Sequence, residues 1–354
     1  MGFINLIDTA RAKILIRAAN WVGDAIMTTP VIRAVRKNFP KSEITILAKP
    51  WVIPVYENNP YIDKILVYES NHRHKRGFGT LTLARDLRPY RFDLAILMQN
   101  AFEAGLISFM GGIKERVGYN TDGRGLLLNR KIKLNPALKK GHLIDYYIGI
   151  LKGADLTDDG RNLDLFLSES DRGFADHFMD REKFDSSRPV IGINPGATGG
   201  TAKRWFPERY AQVCKNLARQ FKIKILIFGG PNDFELGEYI ASLSRGCCIN
   251  IAGTTSLGQA FALIKKCSLF ITNDSGLMHA AAALNINQVA VIGSTDYVAT
   301  APSNENSIMV RVQVPCSPCL KDVCPTDHQC MKKISVDMIM ETCKSLLKAN
   351  WQKS

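Results

Sequence analysis

Short runs of branched and aliphatic residues, separated by stretches with helical spacing, recur along this chain and constrain its fold more than any other feature. Strand-like runs stand at 13–17, 43–48, 64–68, 92–97 and 115–118, then after a polar passage at 189–193, 223–228, 248–251, 269–272 and 289–292. Helical periodicity marks 24–38, 139–152, 207–220, 234–244 and 257–266. Strand and helix in alternation predict an α/β fold of mostly parallel sheets covered by helices. Two such series without a sequence repeat predict two Rossmann-like α/β/α domains facing each other across a cleft. The passage 155–188, polar and charged, carries the link between them. Residues 1–12 read as a short, partly helical lead.

Three strand-turn-helix junctions hold the residues with chemical potential. In the first, 268–272 is a buried strand, Asn273-Asp274-Ser275-Gly276-Leu277-Met278-His279 the turn and helix start, and Ala280 to Leu284 its continuation. A helix N-terminus offers unpaired N–H groups and partial positive charge, which suit a phosphate or diphosphate. Ser275 can cap this helix, Gly276 admits close approach to the backbone, and Asp274 and His279 can meet polar groups of a nucleotide. An ordinary capped helix is the alternative.

The second junction is Asn194-Pro195-Gly196-Ala197-Thr198-Gly199-Gly200-Thr201-Ala202-Lys203-Arg204-Trp205. It supplies glycines, hydroxyls at Thr198 and Thr201, and two cations ahead of a helix that Pro207 starts. These are parts of a diphosphate site, although the Gly-Lys-Ser/Thr ending of a P-loop is missing, and Gly229-Gly230 lacks the spacing of a dinucleotide fingerprint. In the third junction, Ala19-Asn20-Trp21-Val22-Gly23-Asp24 follows the first strand. Asp24 reads either as an N-cap or as a carboxylate on a ligand-binding loop.

The net charge of +13 favours anionic partners: nucleic acid, an anionic lipid surface or a phosphorylated substrate. Aromatics are not interleaved with the basic residues as in single-strand binders, which weighs against nucleic acid. The basic run at 71–76 and Lys114, Arg116, Arg124, Arg130 and Lys131 are either a solvated face or a surface for an anionic acceptor. No stretch reaches the roughly 20 apolar residues of a membrane span, and no secretory signal is recognisable, so a cytoplasmic location is expected. Cys316, Cys319, Cys324 and Cys330, with His328 nearby, are open to three readings: a structural zinc site, a reduced loop or redox-sensitive disulfides.

Taken together and in order, Trp21-Val22-Gly23-Asp24, the loop from Pro195-Gly196-Ala197 to Ala202-Lys203-Arg204-Trp205, and the stretch 273–279 resemble the bacterial ADP-heptose lipopolysaccharide heptosyltransferases, glycosyltransferase family nine. Gly118-Tyr119 and Leu126 to Asn129 belong to the same likeness, which covers nearly the whole chain. Trp21-Val22 and the wording of 273–279 look most like the branch that adds the second inner-core heptose, heptosyltransferase II.

The resemblance implies a GT-B fold, with an acceptor-binding domain at 1–175, an ADP-sugar-binding domain at 186–335, and a C-terminal helix in 336–354 packing back toward the first domain. It implies an inverting transfer of L-glycero-D-manno-heptose from ADP-heptose to heptosyl-Kdo2-lipid A, by an enzyme peripheral at the cytoplasmic face of the inner membrane. Asp24 matches the family's general base and Lys203 the lysine on the diphosphate. Thr198, Gly199, Asp274, Ser275, Gly276 and His279 match the donor site. No Asp-x-Asp motif is present, in keeping with catalysis that requires no metal cofactor, so any zinc on the four cysteines would be structural. A heptosyltransferase with another acceptor, and a non-catalytic module binding an anionic surface or nucleic acid, are the alternatives.

Overall fold

The computed structural model describes residues 11–351, and side chains for 11–347; the lead expected at 1–12 lies largely outside them. The chain divides into two compact units, 1–166 and 167–354. Each holds a six-stranded, all-parallel sheet.

In the first unit the strands are β1 (Lys13–Arg17), β2 (Glu43–Ala48), β3 (Lys64–Val67), β4 (Leu94–Leu97), β5 (Glu115–Tyr119) and β6 (Arg130–Ile132), in spatial order β3-β2-β1-β4-β5-β6. The second contains β7 (Ile191–Asn194), β8 (Ile225–Ile227), β9 (Cys248–Asn250), β10 (Leu269–Asn273), β11 (Gln288–Val291) and β12 (Ser307–Val310), in order β12-β11-β10-β7-β8-β9. Both are doubly wound: the connections reverse direction once, between β1 and β4 and between β7 and β10. Ligands of such sheets bind outside the strands' carboxyl ends at that switch point.

Alternate residues of a strand share a face, and in the second sheet Ile191, Ile193, Ile225, Ile227, Leu269, Ile271, Val289 and Val291 form one apolar layer. The helix Pro207–Phe221 covers it with Tyr210, Val213 and Leu217, and the helix Val336–Trp351 with Ile339, Cys343 and Leu347. The packing that holds the C-terminal helix is therefore with the second sheet and the helix Pro207–Phe221. In the first unit Leu15, Leu47, Ala95 and Leu97 meet Leu83, Leu87 and Ile107. Two edge strands, β6 and β12, escape the sequence pattern: three or four residues long, each buries only its last residue and is too short to show a period.

The helix expected over 24–38 is two helices, Val22–Met27 and Thr29–Asn38. Pro30 sits in the first turn of the second, where its missing N–H costs nothing, and it cannot continue the first. The passage 155–188 also resolves into two parts. Its first half is tied to the helix Thr29–Asn38: Arg33 pairs with Asp159 at 2.7 Å and with Asp164, and donates to the Asn162 carbonyl at 2.8 Å. Its second half contains the helix Glu169–Arg181, capped by Ser168 and packed along Leu257–Lys266 of the second unit. The division at Phe166 and Leu167 follows from these allegiances.

Arg33 is nearly buried and Asp164 half-buried, so truncating the arginine strands a carboxylate in a poor solvent. Arg33→Met is expected to lower unfolding free energy by about 3 kcal/mol, read by urea denaturation, while breaking an exposed pair such as Lys64 and Glu43 should change it far less.

Candidate functional site

The second unit builds its switch point from two neighbouring strands in register, Leu269 opposite Ile191 and Thr272 opposite Asn194. The loops leaving β7 and β10 are clamped together by asparagines. Asn273, fully buried, donates from Nδ2 to the Pro195 carbonyl at 2.7 Å, and its Oδ1 accepts from the Trp205 N–H at 3.1 Å and the Tyr210 hydroxyl at 3.0 Å. Asn194 Nδ2 donates to Ser275 Oγ at 2.7 Å and to Thr272 Oγ1 at 3.2 Å.

Ser275 is the N-cap of the helix Gly276–Ala283, its Oγ accepting from the Met278 N–H. Gly276 opens the helix, so its backbone N–H belongs to the orphan set of the first turn. Asp274 is buried just ahead of this N-terminus, and its Oδ2 accepts from Thr300 Oγ1 at 3.2 Å. His279 lies one turn on and is buried.

Across the clamp, Thr198 and Gly199 are exposed and Lys203 ends a 3-10 turn, Thr201–Lys203. The half-buried ammonium of Lys203 makes no hydrogen bond or ion pair among the described residues. Its neighbour Arg204 is engaged instead, with Asp233 at 3.3 Å and the Ala197 carbonyl at 3.4 Å. Of two adjacent cations, the fold uses one as a brace and gives the other no partner among the described residues.

The cysteine segment has a role that spacing alone does not reveal. The Ala202 N–H donates to the Asp322 carbonyl at 2.9 Å, and the N–H groups of Cys319 and Leu320 donate to the Ser294 carbonyl at 3.1 and 2.8 Å. Residues 319–322 thus bridge the loop after β11 to the loop that carries Lys203. Cys330 turns inward onto Gly293, and its thiol is pushed up, first by burial and then by the neighbouring Cys316, Cys324 and Cys319 sulfurs. Among the described residues no three His, Cys, Asp or Glu side chains converge as metal ligands, and all nine cysteines are free thiols. The four-cysteine zinc reading gains no support from these positions: Cys330 packs into the core while Cys316 stays exposed.

In the first unit Asp24 is not the N-cap. Trp21 holds that position without a side-chain bond, and Asp24 lies in the first turn of Val22–Met27. Its Oδ1 accepts from the Tyr147 hydroxyl at 2.9 Å. Tyr147 is buried, and its hydroxyl is held well above its ordinary pKa by burial and then by the Asp24 charge, so it stays a donor. Sequence reading missed Tyr147 and Thr300 and gave the two clamping asparagines, though it placed both in the motifs, no role, because each acts through a partner distant in the chain.

The basic residues of this unit divide in the same way. Lys114 pairs with Asp93 at 2.8 Å, Arg130 with Glu115 at 3.2 Å, and Arg73 with Asp86 at 2.8 Å, while Arg116 is spent on backbone carbonyls. Arg124 is buried, with Nε on the Tyr119 carbonyl at 2.8 Å and Nη2 on Asn100 at 2.9 Å. These five are engaged, whereas Lys131 of the same set and Lys75 and Arg76 of the 71–76 run are exposed and make no hydrogen bond or ion pair among the described residues. Among the described residues no helix is long and apolar enough to cross a membrane.

Residues 80–329 match glycosyltransferase family 9 (heptosyltransferase). The chain belongs to this family. It is 31% identical over 346 residues to the lipopolysaccharide heptosyltransferase 2 of Escherichia coli, covering 95% of this chain and 98% of the relative, and 28% identical over 342 residues to the lipooligosaccharide heptosyltransferase 2 of Campylobacter jejuni, with coverages of 95% and 98%. The solved structure of E. coli ADP-heptose lipopolysaccharide heptosyltransferase II superimposes with a TM-score of 0.80 at 28% identity, over 96% of this chain and 99% of that one. The family 9 glycosyltransferase of Veillonella parvula gives 0.84 at 25% identity, over 96% and 97%. The paired six-stranded sheets are thus a GT-B fold, and this member of family 9 is a glycosyltransferase.

Gly199 and Gly200 both adopt positive φ, +91° and +117°, but only Gly200 is crowded: a Cβ there would stand 2.1 Å from the Asp322 carbonyl oxygen. Gly199→Ala should cost about 1 kcal/mol of backbone strain. Gly200→Ala should cost clearly more and free the 319–322 bridge, seen as faster amide exchange at Ala202.

Proposed function

We propose that this chain transfers L-glycero-D-manno-heptose from ADP-heptose to heptosyl-Kdo2-lipid A, with inversion at the anomeric carbon. Likeness over nearly the full length to heptosyltransferase 2 relatives carries this reading. The motif residues at the carboxyl edges of both sheets agree with it. On this reading the first unit binds the acceptor and the second the ADP-sugar, and the enzyme works in the cytoplasm, peripheral to the inner membrane, with no nucleic-acid partner. A net charge of +13 suits an acceptor that carries carboxylates and phosphates at an anionic surface.

In the reaction Asp24 accepts the proton of the acceptor hydroxyl as that oxygen bonds to the anomeric carbon. The bond from that carbon to the diphosphate oxygen breaks in the same displacement, and ADP leaves with the electron pair. The hydrogen bond from Tyr147 orients the Asp24 carboxylate for this proton transfer. Lys203 and the N-terminal amides of Gly276–Ala283 balance charge developing on ADP, and Ser275, Thr198 and Gly199 line the phosphate loops. Asp274, turned by Thr300, and His279 serve the nucleotide. This assignment uses the Lys203 ammonium and helix amides where other transferases use a divalent ion, and it is tested by turnover in EDTA.

Purified protein incubated with ADP-heptose and heptosyl-Kdo2-lipid A in EDTA is expected to release ADP and add the mass of one heptose to the acceptor. Donor binding without transfer would redirect the search to another acceptor, and no binding would refute the assignment. Asp24→Asn should lower turnover by orders of magnitude while donor affinity survives; near-normal turnover would remove Asp24 as base. Lys203→Ala should weaken donor binding and turnover together, since the diphosphate is charged in both ground and transition states. Unchanged donor affinity would count against its place on the diphosphate.

A further inference from the structure

Two cations at the carboxyl edge of the first sheet stand apart from the structural ones. Arg17, the last residue of β1, is 2% exposed. Its Nη1 donates to the Ala18 carbonyl at 2.6 Å and its Nη2 to Asn20 Oδ1 at 2.9 Å, while its buried Nε has no partner. Beside it Lys49, just past the end of β2, holds its ammonium 5.0 Å from the centroid of the Trp51 ring and 5.8 Å from that of Tyr68, with no hydrogen bond or ion pair among the described residues. The Arg17 guanidinium lies 5.0 Å from the centroid of the same Tyr68 ring.

Bringing two positive charges together in a partly dry place costs energy, and both groups record it. Arg17 is lowered to about 10, chiefly by burial, and Lys49 is lowered by burial and then by the Arg17 charge. Glu103, bonded to Thr80 at 2.9 Å, is the carboxylate that faces both. One carboxylate against two cations leaves a net positive charge. Arg124 shows the contrast: equally buried, it has each of its three nitrogens on an oxygen and asks for nothing more. The aromatic faces hold the Lys49 charge without neutralising it.

The location is significant. Asn20, which receives Arg17, passes its carbonyl to the Trp51 indole N–H at 2.7 Å, tying Lys49 to the loop that leads into Asp24. These contacts all lie within the first unit, at its switch point.

We propose that Arg17 and Lys49, framed by Trp51 and Tyr68, form a subsite for an oxyanion of the acceptor, a carboxylate or a phosphate, which seats the acceptor hydroxyl at Asp24. The assignment rests on the acceptor reading of the first unit. Lys49 makes the direct contact, and Arg17 supplies a second charge and orients Asn20. An incoming oxyanion relieves the repulsion between the cations, so binding gains from an arrangement that is unfavourable when empty.

Two measurements test it. At constant ionic strength, inorganic phosphate and acetate are titrated against wild type, Lys49→Met, Lys49→Arg and Trp51→Phe, with tryptophan emission as the readout. A saturable response is expected in wild type and Lys49→Arg and not in Lys49→Met or Trp51→Phe, and the tighter of the two anions identifies the group. An absent wild-type response, or one equal in Lys49→Met, overturns the subsite. In steady-state heptose transfer, Lys49→Met should raise the acceptor KM by roughly 10- to 100-fold, leave the donor KM unchanged, and be largely rescued by Lys49→Arg. Normal transfer with an unchanged acceptor KM in Lys49→Met removes the subsite and keeps the function. Anion binding that depends on Lys49, in a protein that transfers no heptose, supports the subsite and removes the function.

Discussion

One buried amide, that of Asn273, holds the second unit's site together. It gives its N–H to the loop after β7 and takes hydrogen bonds from the Trp205 backbone and the Tyr210 hydroxyl. Both loops at the switch point, and the covering helix Pro207–Phe221, are referenced to that one side chain. A buried polar group must be satisfied or it destabilises the fold, and here its satisfaction sets the site's geometry. The helix start at Gly276 and the turn that ends in Lys203 are consequently positioned by core packing rather than by a ligand.

The first unit follows the same logic with different groups. Its switch point lies between β1 and β4, and the residues there are placed by long-range partners: Tyr147 on Asp24, Trp51 on Asn20, Tyr68 against Arg17. Several of the basic residues singled out in the sequence are engaged locally, on carboxylates or carbonyls. The two cations proposed to meet substrate, Lys203 in one unit and Lys49 in the other, are among those that make no hydrogen bond or ion pair among the described residues. Net charge therefore indicates the kind of partner, and the hydrogen-bond pattern indicates where it docks.

The segment 316–330 shows how a motif legible as a cluster of side chains can owe its visible role to its backbone. Its cysteines are neighbours, as their spacing suggests, yet the segment's backbone does the bracing, through the Asp322 carbonyl onto Ala202 and two N–H groups onto Ser294. Backbone bonds of this kind leave no compositional trace, because any residue could make them. Gly200 is the exception, since only a residue without a Cβ tolerates so close a carbonyl.

The alternation of strand and helix, the caps and the three loop motifs were legible in the sequence because they are local: periodicity, a serine before a helix, glycines before a phosphate-type turn. They determined an α/β chain of two doubly wound units and the loops that matter in each. Only the tertiary structure decided that Asp24 is a first-turn carboxylate held by Tyr147, that Lys203 and not Arg204 is unpaired, and that Arg17 and Lys49 share a small charged corner. Those facts depend on contacts across tens of residues of chain. A charge declares its purpose only once the fold shows which partners it has and which it lacks.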